Sequence, residues 1–185
     1  YYGGSREDFD TQNVTEAIDG DLTTWNTMMG LANAGLGTQA AYTGILQYLD
    51  ATNLADYMLL NFFTGNDDWD GHNWYAGRKR EAGAGYQFFS WDAELSISVH
   101  QNNPPPTQPD FAAILARNKT GINNANKPSR LHQKMVVNNE YKLLFADRVQ
   151  KHFFNEGALS PSRIIDRWMA RRDQVYPAVV AESAR

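Results

Sequence analysis

Gly65-Asn66-Asp67-Asp68-Trp69-Asp70-Gly71-His72-Asn73-Trp74-Tyr75 is the stretch that decides how this chain folds. Its first half is a row of turn-forming residues and reads as a polar loop. Asn73 to Arg78 and Tyr86 to Asp92 are aromatic-rich runs of strand character, and the segment 79–85 between them carries glycines. The pattern predicts a β-hairpin. A hairpin sets the start of its first strand beside the end of its second. Asp67, Asp68 and Asp70 precede the first strand, while Asp92 and Glu94 close the second, so these five carboxylates are expected to be neighbours. Like charges at short range repel, so such a cluster calls for cations or protonation. Mg2+ suits all-oxygen ligands, keeps several waters and shares phosphate oxygens.

Working outward, the chain reads as helical. Leu22, Trp25, Met29 and Ala32 recur at helical spacing behind Asp19 or Asp21, and Gly35 and Gly37 end the run. Thr38 is placed to cap a second helix with Ala41, Ile45, Leu46 and Leu49 on its apolar stripe. Asn53 is placed to cap a third, from Leu54 to about Phe63, which is apolar on most sides and therefore predicted to be central and buried. Residues 1–20 read as a loop or extended entry. Beyond the hairpin, 101–109 is a Pro-rich surface loop, and Phe111, Ile114 and Leu115 mark a short helix. The segment 118–128 is polar and expected to be exposed. Ser129 opens a helix through Val136, and Tyr141, Leu144, Phe145, Val149 and Phe153 stripe a longer one. Ser160-Pro161 opens the last. The fold class that follows is α+β, mostly α, in one domain over 1–185, with a small hairpin after the third helix.

The 185 residues suffice to bury a core. A formal net charge of -4 disfavours a nucleic-acid binder with a broad basic face. The absence of cysteine excludes disulfides, zinc-thiolate sites and cysteine nucleophiles. No apolar run reaches the roughly 18 residues of a membrane span. The chain opens on Tyr1 without an initiator Met and reads as a piece of a longer protein.

Asp68-x-x-x-x-Asn73 has the spacing of a kinase catalytic loop, where the Asp orients the substrate hydroxyl and the Asn binds a metal. A short hairpin and then a metal-binding Asp follow that loop in kinases, and Asp92 stands at that place here. Asp and Asn are also turn formers, so a solvated turn held by Asx hydrogen bonds is the competing reading. Trp69, Trp74, Tyr75, Phe88, Phe89 and Trp91 are expected to be core, as hairpin aromatics commonly are.

The chain resembles the CotH kinase family, the spore-coat protein H group and its relatives. The resemblance rests on Leu54-Ala55-Asp56-Tyr57-Met58-Leu59-Leu60-Asn61-Phe62-Phe63, on Gly65 to Tyr75, and on Phe88-Phe89-Ser90-Trp91-Asp92-Ala93-Glu94. Phe145 to Phe154 and Gly157-Ala158-Leu159-Ser160-Pro161 extend it. It implies the C-terminal lobe of a protein-kinase-like fold that uses ATP with Mg2+ or Mn2+ to phosphorylate Ser or Thr of a secreted or surface protein. It implies Asp68 as the catalytic aspartate and Asn73 and Asp92 as metal ligands. Glu94 stands where the family's Trp-Asp-x-Asp pattern has a second Asp, and is carried over as a metal ligand of longer reach. The family's N-terminal lobe, with its phosphate-contacting Lys, precedes the catalytic loop. The 67 residues before Asp68 read as helices, so that lobe is expected to lie outside this chain, and the chain alone to be inactive. The alternative is a pseudokinase or binding module of a larger exported protein. A Mg2+-dependent phosphohydrolase using the same carboxylates is a third reading.

Asp67 and Asp70 map onto no role. His72 beside Asn73 reads as a loop-stabilising residue, and His100, His132 and His152 show no metal spacing. Arg148, Lys151, Arg167, Arg171 and Arg172 read as a solvated helix face.

Overall fold

A computed structural model describes residues 4–97 and 118–183. The Pro-rich loop and the short helix expected over 101–115 lie outside the described residues. The chain forms two compact units, Tyr1–Phe145 and Ala146–Arg185. About half of the described residues are helical, and a small antiparallel sheet completes the fold.

In the first unit, helices α1 (Thr23–Ala34) and α3 (Ala51–Thr64) form as the apolar spacing predicts, while α2 (Gln39–Ile45) stops short of Leu46 and Leu49, both expected on its stripe. Their ends show why. Asp21 accepts the Thr23 N–H at 2.7 Å, and the Thr38 hydroxyl accepts the Ala41 N–H at 3.2 Å. Each satisfies a donor that the first helical turn leaves open. Gly35 ends α1 at a φ of 111°, a conformation costly to any residue with a Cβ. The cap of α3 differs from expectation. Asp50 caps it by accepting the Asn53 N–H at 2.9 Å. Asn53 serves elsewhere, its side-chain oxygen accepting the Phe88 N–H at 2.6 Å and so pinning the sheet to α3.

The hairpin of β3 (Trp74–Lys79) and β4 (Gln87–Ser90) stands where the sequence puts it, with Trp74 opposite Ser90 and Gly77 opposite Gln87. It is not isolated. Within residues 1–20, expected to be a loop or a short extended entry, Phe9–Asn13 and Glu16–Asp19 are extended and pair as a second hairpin, β1 and β2. β1 pairs with β3, giving a four-stranded sheet in the order β2-β1-β3-β4. The buried positions of β1 are Asp10 and Gln12, so it shows no apolar alternation. Asp10 is held by Arg78 and Arg80 on and just past β3, each at 2.8 Å. A buried carboxylate with two guanidinium partners replaces the apolar face by which strands are usually recognised.

The core lies between the sheet and the helices. Trp25 of α1 stacks on Trp74 with ring centres 5.7 Å apart and meets Tyr86 edge-on at 5.3 Å. Both indoles are fully buried. Tyr57 of α3 packs on Phe88 at 5.5 Å, and its hydroxyl accepts a hydrogen bond from Trp69 Nε1 at 2.7 Å. Burial raises the Tyr57 hydroxyl well above its usual range and pushes Tyr86 up to about 12. Beyond the undescribed segment come α4 (Pro128–Met135) and α5 (Asn139–Phe153). Leu131, Met135 and Tyr141 join the same core.

The second unit takes the end of α5 and the long α6 (Pro161–Ser183), which starts at Pro161 as the Ser-Pro pair predicts. Arg172 lies over the Trp168 ring at 5.7 Å, both exposed in keeping with a solvated face. Among the described residues, no helix is long and apolar enough to cross a membrane.

Candidate functional site

The loop 65–73 begins where α3 ends, at Gly65 in the left-handed conformation. It runs into β3, and the segment after β4 returns to it. Trp91 N–H donates to the Asn73 carbonyl at 3.4 Å, Asp67 N–H to the Leu95 carbonyl at 3.0 Å, and Ile97 N–H to the Thr64 carbonyl at 2.8 Å. The expected neighbourhood of the loop and 92–94 is therefore real.

Asn73 is the joint. Its side-chain amide donates to the Asp68 carboxylate at 2.9 Å and to the Asp92 backbone carbonyl at 3.0 Å. The three residues singled out by spacing are thus linked through one buried amide. With Nδ2 engaged by both bonds, the atom Asn73 offers a cation is Oδ1. Both Asn73 (φ 63°) and Asp92 (φ 48°) sit in the left-handed region, which Asn and Asp tolerate better than other residues with a side chain.

The five carboxylates do not converge as a cage, which corrects the expectation of a carboxylate cluster. Among the described residues, no group of three His, Cys, Asp or Glu is arranged to hold a metal. Asp67 pairs with Lys119 at 3.1 Å. Asp70 is buried and turns away into the fold. Asp68 is half-buried, while Asp92 and Glu94 are exposed. What the Asn73 amide does bring together is the Asp68 carboxylate and the Asp92 backbone carbonyl, with its own oxygen beside them. This oxygen set fits a hard cation in kind, with phosphate oxygens and water supplying the rest of the shell.

The structure also adds residues that the sequence reading did not use. Asp70 Oδ2 accepts the backbone N–H of Ser129 at 3.1 Å, and Oδ1 accepts Asn124 Nδ2 at 2.6 Å. Ser129 therefore does not cap α4 as expected. It lies inside the first turn, its hydroxyl accepts the Asn124 N–H at 2.9 Å, and Asp70 takes the capping part from a distant loop. The segment 118–127, though largely exposed, docks on the loop. Lys127 reaches the Gly71 carbonyl at 3.5 Å and lies over the Trp74 ring at 5.7 Å. No local sequence signal marks the ties of Asp70 and Gly71 to this segment, because each joins residues more than fifty positions apart. Of the aromatics expected to be core, Trp69, Trp74 and Phe88 are buried, but Phe89 and Trp91 are exposed beside the site, with Trp91 46% accessible. His72 is exposed, whereas His132 is buried against Tyr141, Phe62 and Phe145.

The candidate site is thus a polar loop with an Asp-x4-Asn core, a hairpin behind it and an Asp just past the hairpin's end. The chain belongs to the CotH kinase protein family, whose model matches residues 3–185. No curated protein and no solved structure gives a match.

Proposed function

We propose that this chain supplies the catalytic-loop and metal-binding half of a site that transfers the γ-phosphoryl group of ATP to Ser or Thr hydroxyls of a secreted or surface protein. The observation that carries the reading is the Asn73 amide joining the Asp68 carboxylate to the Asp92 backbone. It fixes the separation of a hydroxyl-orienting group and a cation-holding group, which is the chief demand of phosphoryl transfer. Asp68 accepts the proton of the substrate hydroxyl as its oxygen attacks the γ-phosphorus. The bond to the β-phosphate oxygen breaks and ADP leaves. Asn73 Oδ1 and Asp92, with Glu94, would hold Mg2+ or Mn2+, whose charge offsets that of the phosphates.

The test is phosphate transfer from labelled Mg-ATP by the full-length protein, beside Asp68→Ala and Asp92→Ala. Loss in both supports the assignment, and unchanged transfer in both removes it. Exposed Glu94, in place of the family's second Asp, favours a second reading as a pseudokinase or binding module. Nucleotide- and metal-dependent thermal stabilisation without transfer would select that reading.

A further inference from the structure

We propose that Asp70 is a positioning residue, which locks the catalytic loop to the start of α4 and so sets where Asp68 and Asn73 stand. The inference rests on the phosphotransfer reading for its kinetic part and on geometry alone for the rest. Asp70 is 1% exposed. Its two carboxylate oxygens take separate donors, the Asn124 amide at 2.6 Å and the Ser129 N–H at 3.1 Å. Both donors are neutral, and the second belongs to the first turn of a helix, whose dipole favours a negative charge there. Burying a carboxylate is costly, and a short residue within the segment itself would cap α4 with less desolvation. The placement gives instead a tie across 54 and 59 positions of sequence. Bonds to a charged acceptor are roughly twice as strong as neutral ones, which stiffens the tie.

The flanking residues carry that stiffness to the site. Asp70 lies two residues from Asp68 and three from Asn73. On one side, Trp69 Nε1 is fixed to the Tyr57 hydroxyl of α3 at 2.7 Å. On the other, Trp74 Nε1 donates to the Asp70 carbonyl at 3.1 Å. The loop is thus held to α3, α4 and the sheet within six residues, and the α4 tie acts through a buried carboxylate.

The test uses the full-length protein with Asp70→Asn, Asn124→Ala, and the exchanged pair Asp70→Asn with Asn124→Asp. Asn at 70 offers one acceptor oxygen to two donors, whereas the exchanged pair restores both bonds. Expected in Asp70→Asn are amide hydrogen exchange over 66–73 faster by about tenfold or more, and kcat lower by about tenfold to hundredfold with KM for Mg-ATP changed less. The exchanged pair should recover most of both. Unchanged loop exchange in folded Asp70→Asn overturns the proposal. So does a loss of kcat that follows melting temperature and is not recovered by the exchange, which marks a plain helix cap. Should Asp70→Asn fail to fold, Asn124→Ala, which keeps the Ser129 bond, carries the same comparison. A wild-type protein that transfers no phosphate removes the functional reading, while hydrogen exchange still decides the tie.

Discussion

Replacing Asn73 by Asp tests the joint of the site without assuming any activity. Asp tolerates a positive φ nearly as well as Asn, so the backbone at 63° is left without new strain. The side chain keeps its shape but loses both donors. The hydrogen bond to the Asp68 carboxylate is worth about 1.5–3 kcal/mol and that to the Asp92 carbonyl about 1 kcal/mol. Two carboxylates then face each other at a half-buried position, adding roughly 1 kcal/mol or more. The sum is about 4 kcal/mol in the absence of metal, or a fall in Tm of roughly 8–16 °C for a chain of this size. The variant has also gained a third carboxylate beside Asp68 and Asp92. Mg2+ at a hundred times its dissociation constant would return about 2.7 kcal/mol. Scanning calorimetry in EDTA and then in Mg2+ reads both steps. Asn73→Asp should melt well below wild type in EDTA and recover several degrees in Mg2+, with a smaller metal effect in wild type. Equal melting in EDTA would refute the joint, and a variant indifferent to Mg2+ would refute convergence of these oxygens on a cation.

Burial holds the His132 imidazole down at about 4 from an ordinary 6.5. The unfolded chain therefore binds the extra proton first, so its contribution to stability is whole above pH 6.5 and is lost as pH falls toward 4, by about 3 kcal/mol in all. Urea unfolding at pH 7 and pH 4.5 should show this fall in wild type and a flatter profile in His132→Phe; parallel profiles would remove the assignment. At Gly85 an added Cβ would lie 2.4 Å from both Asp50 N and Leu49 C, so Gly85→Ala should cost roughly 2–3 kcal/mol in the same assay. Gly44, inside α2 with nothing within 4 Å, is the control, and Gly44→Ala should stabilise by about 0.5–1 kcal/mol.

The three N-terminal helices and the β3–β4 hairpin were legible because their signals are local: apolar spacing, a capping side chain, two aromatic runs around glycines. The exchange between Asp50 and Asn53 shows where that ends. Both residue types cap helices, and they stand three apart, so the local pattern admits either; Asn53 is chosen against because its side chain is needed by Phe88, thirty-five residues on. β1 was illegible for a related reason. Its buried positions are Asp10 and Gln12, and arginines on and just past a strand some seventy residues away make the burial of Asp10 tolerable. Asp70 belongs with these. Within its own loop it looks like one more turn residue before glycine, and its partners lie beyond the undescribed segment.

The competition between turn chemistry and site chemistry in the 65–73 loop has a physical resolution. A loop that must reverse direction at Asn73, and a chain that must turn again at Asp92, both need residues that accept positive φ. Glycine would satisfy the backbone at either place at lower cost. It would leave Asp68 without the amide that holds its carboxylate, and Asp92 without the side-chain bond that ties its carbonyl to the loop. Asn and Asp meet both demands at once. Turn propensity alone is therefore not evidence against a functional loop. What separates the two readings is whether the side chain, beyond permitting the turn, also fixes a second group, and Asn73 fixes two.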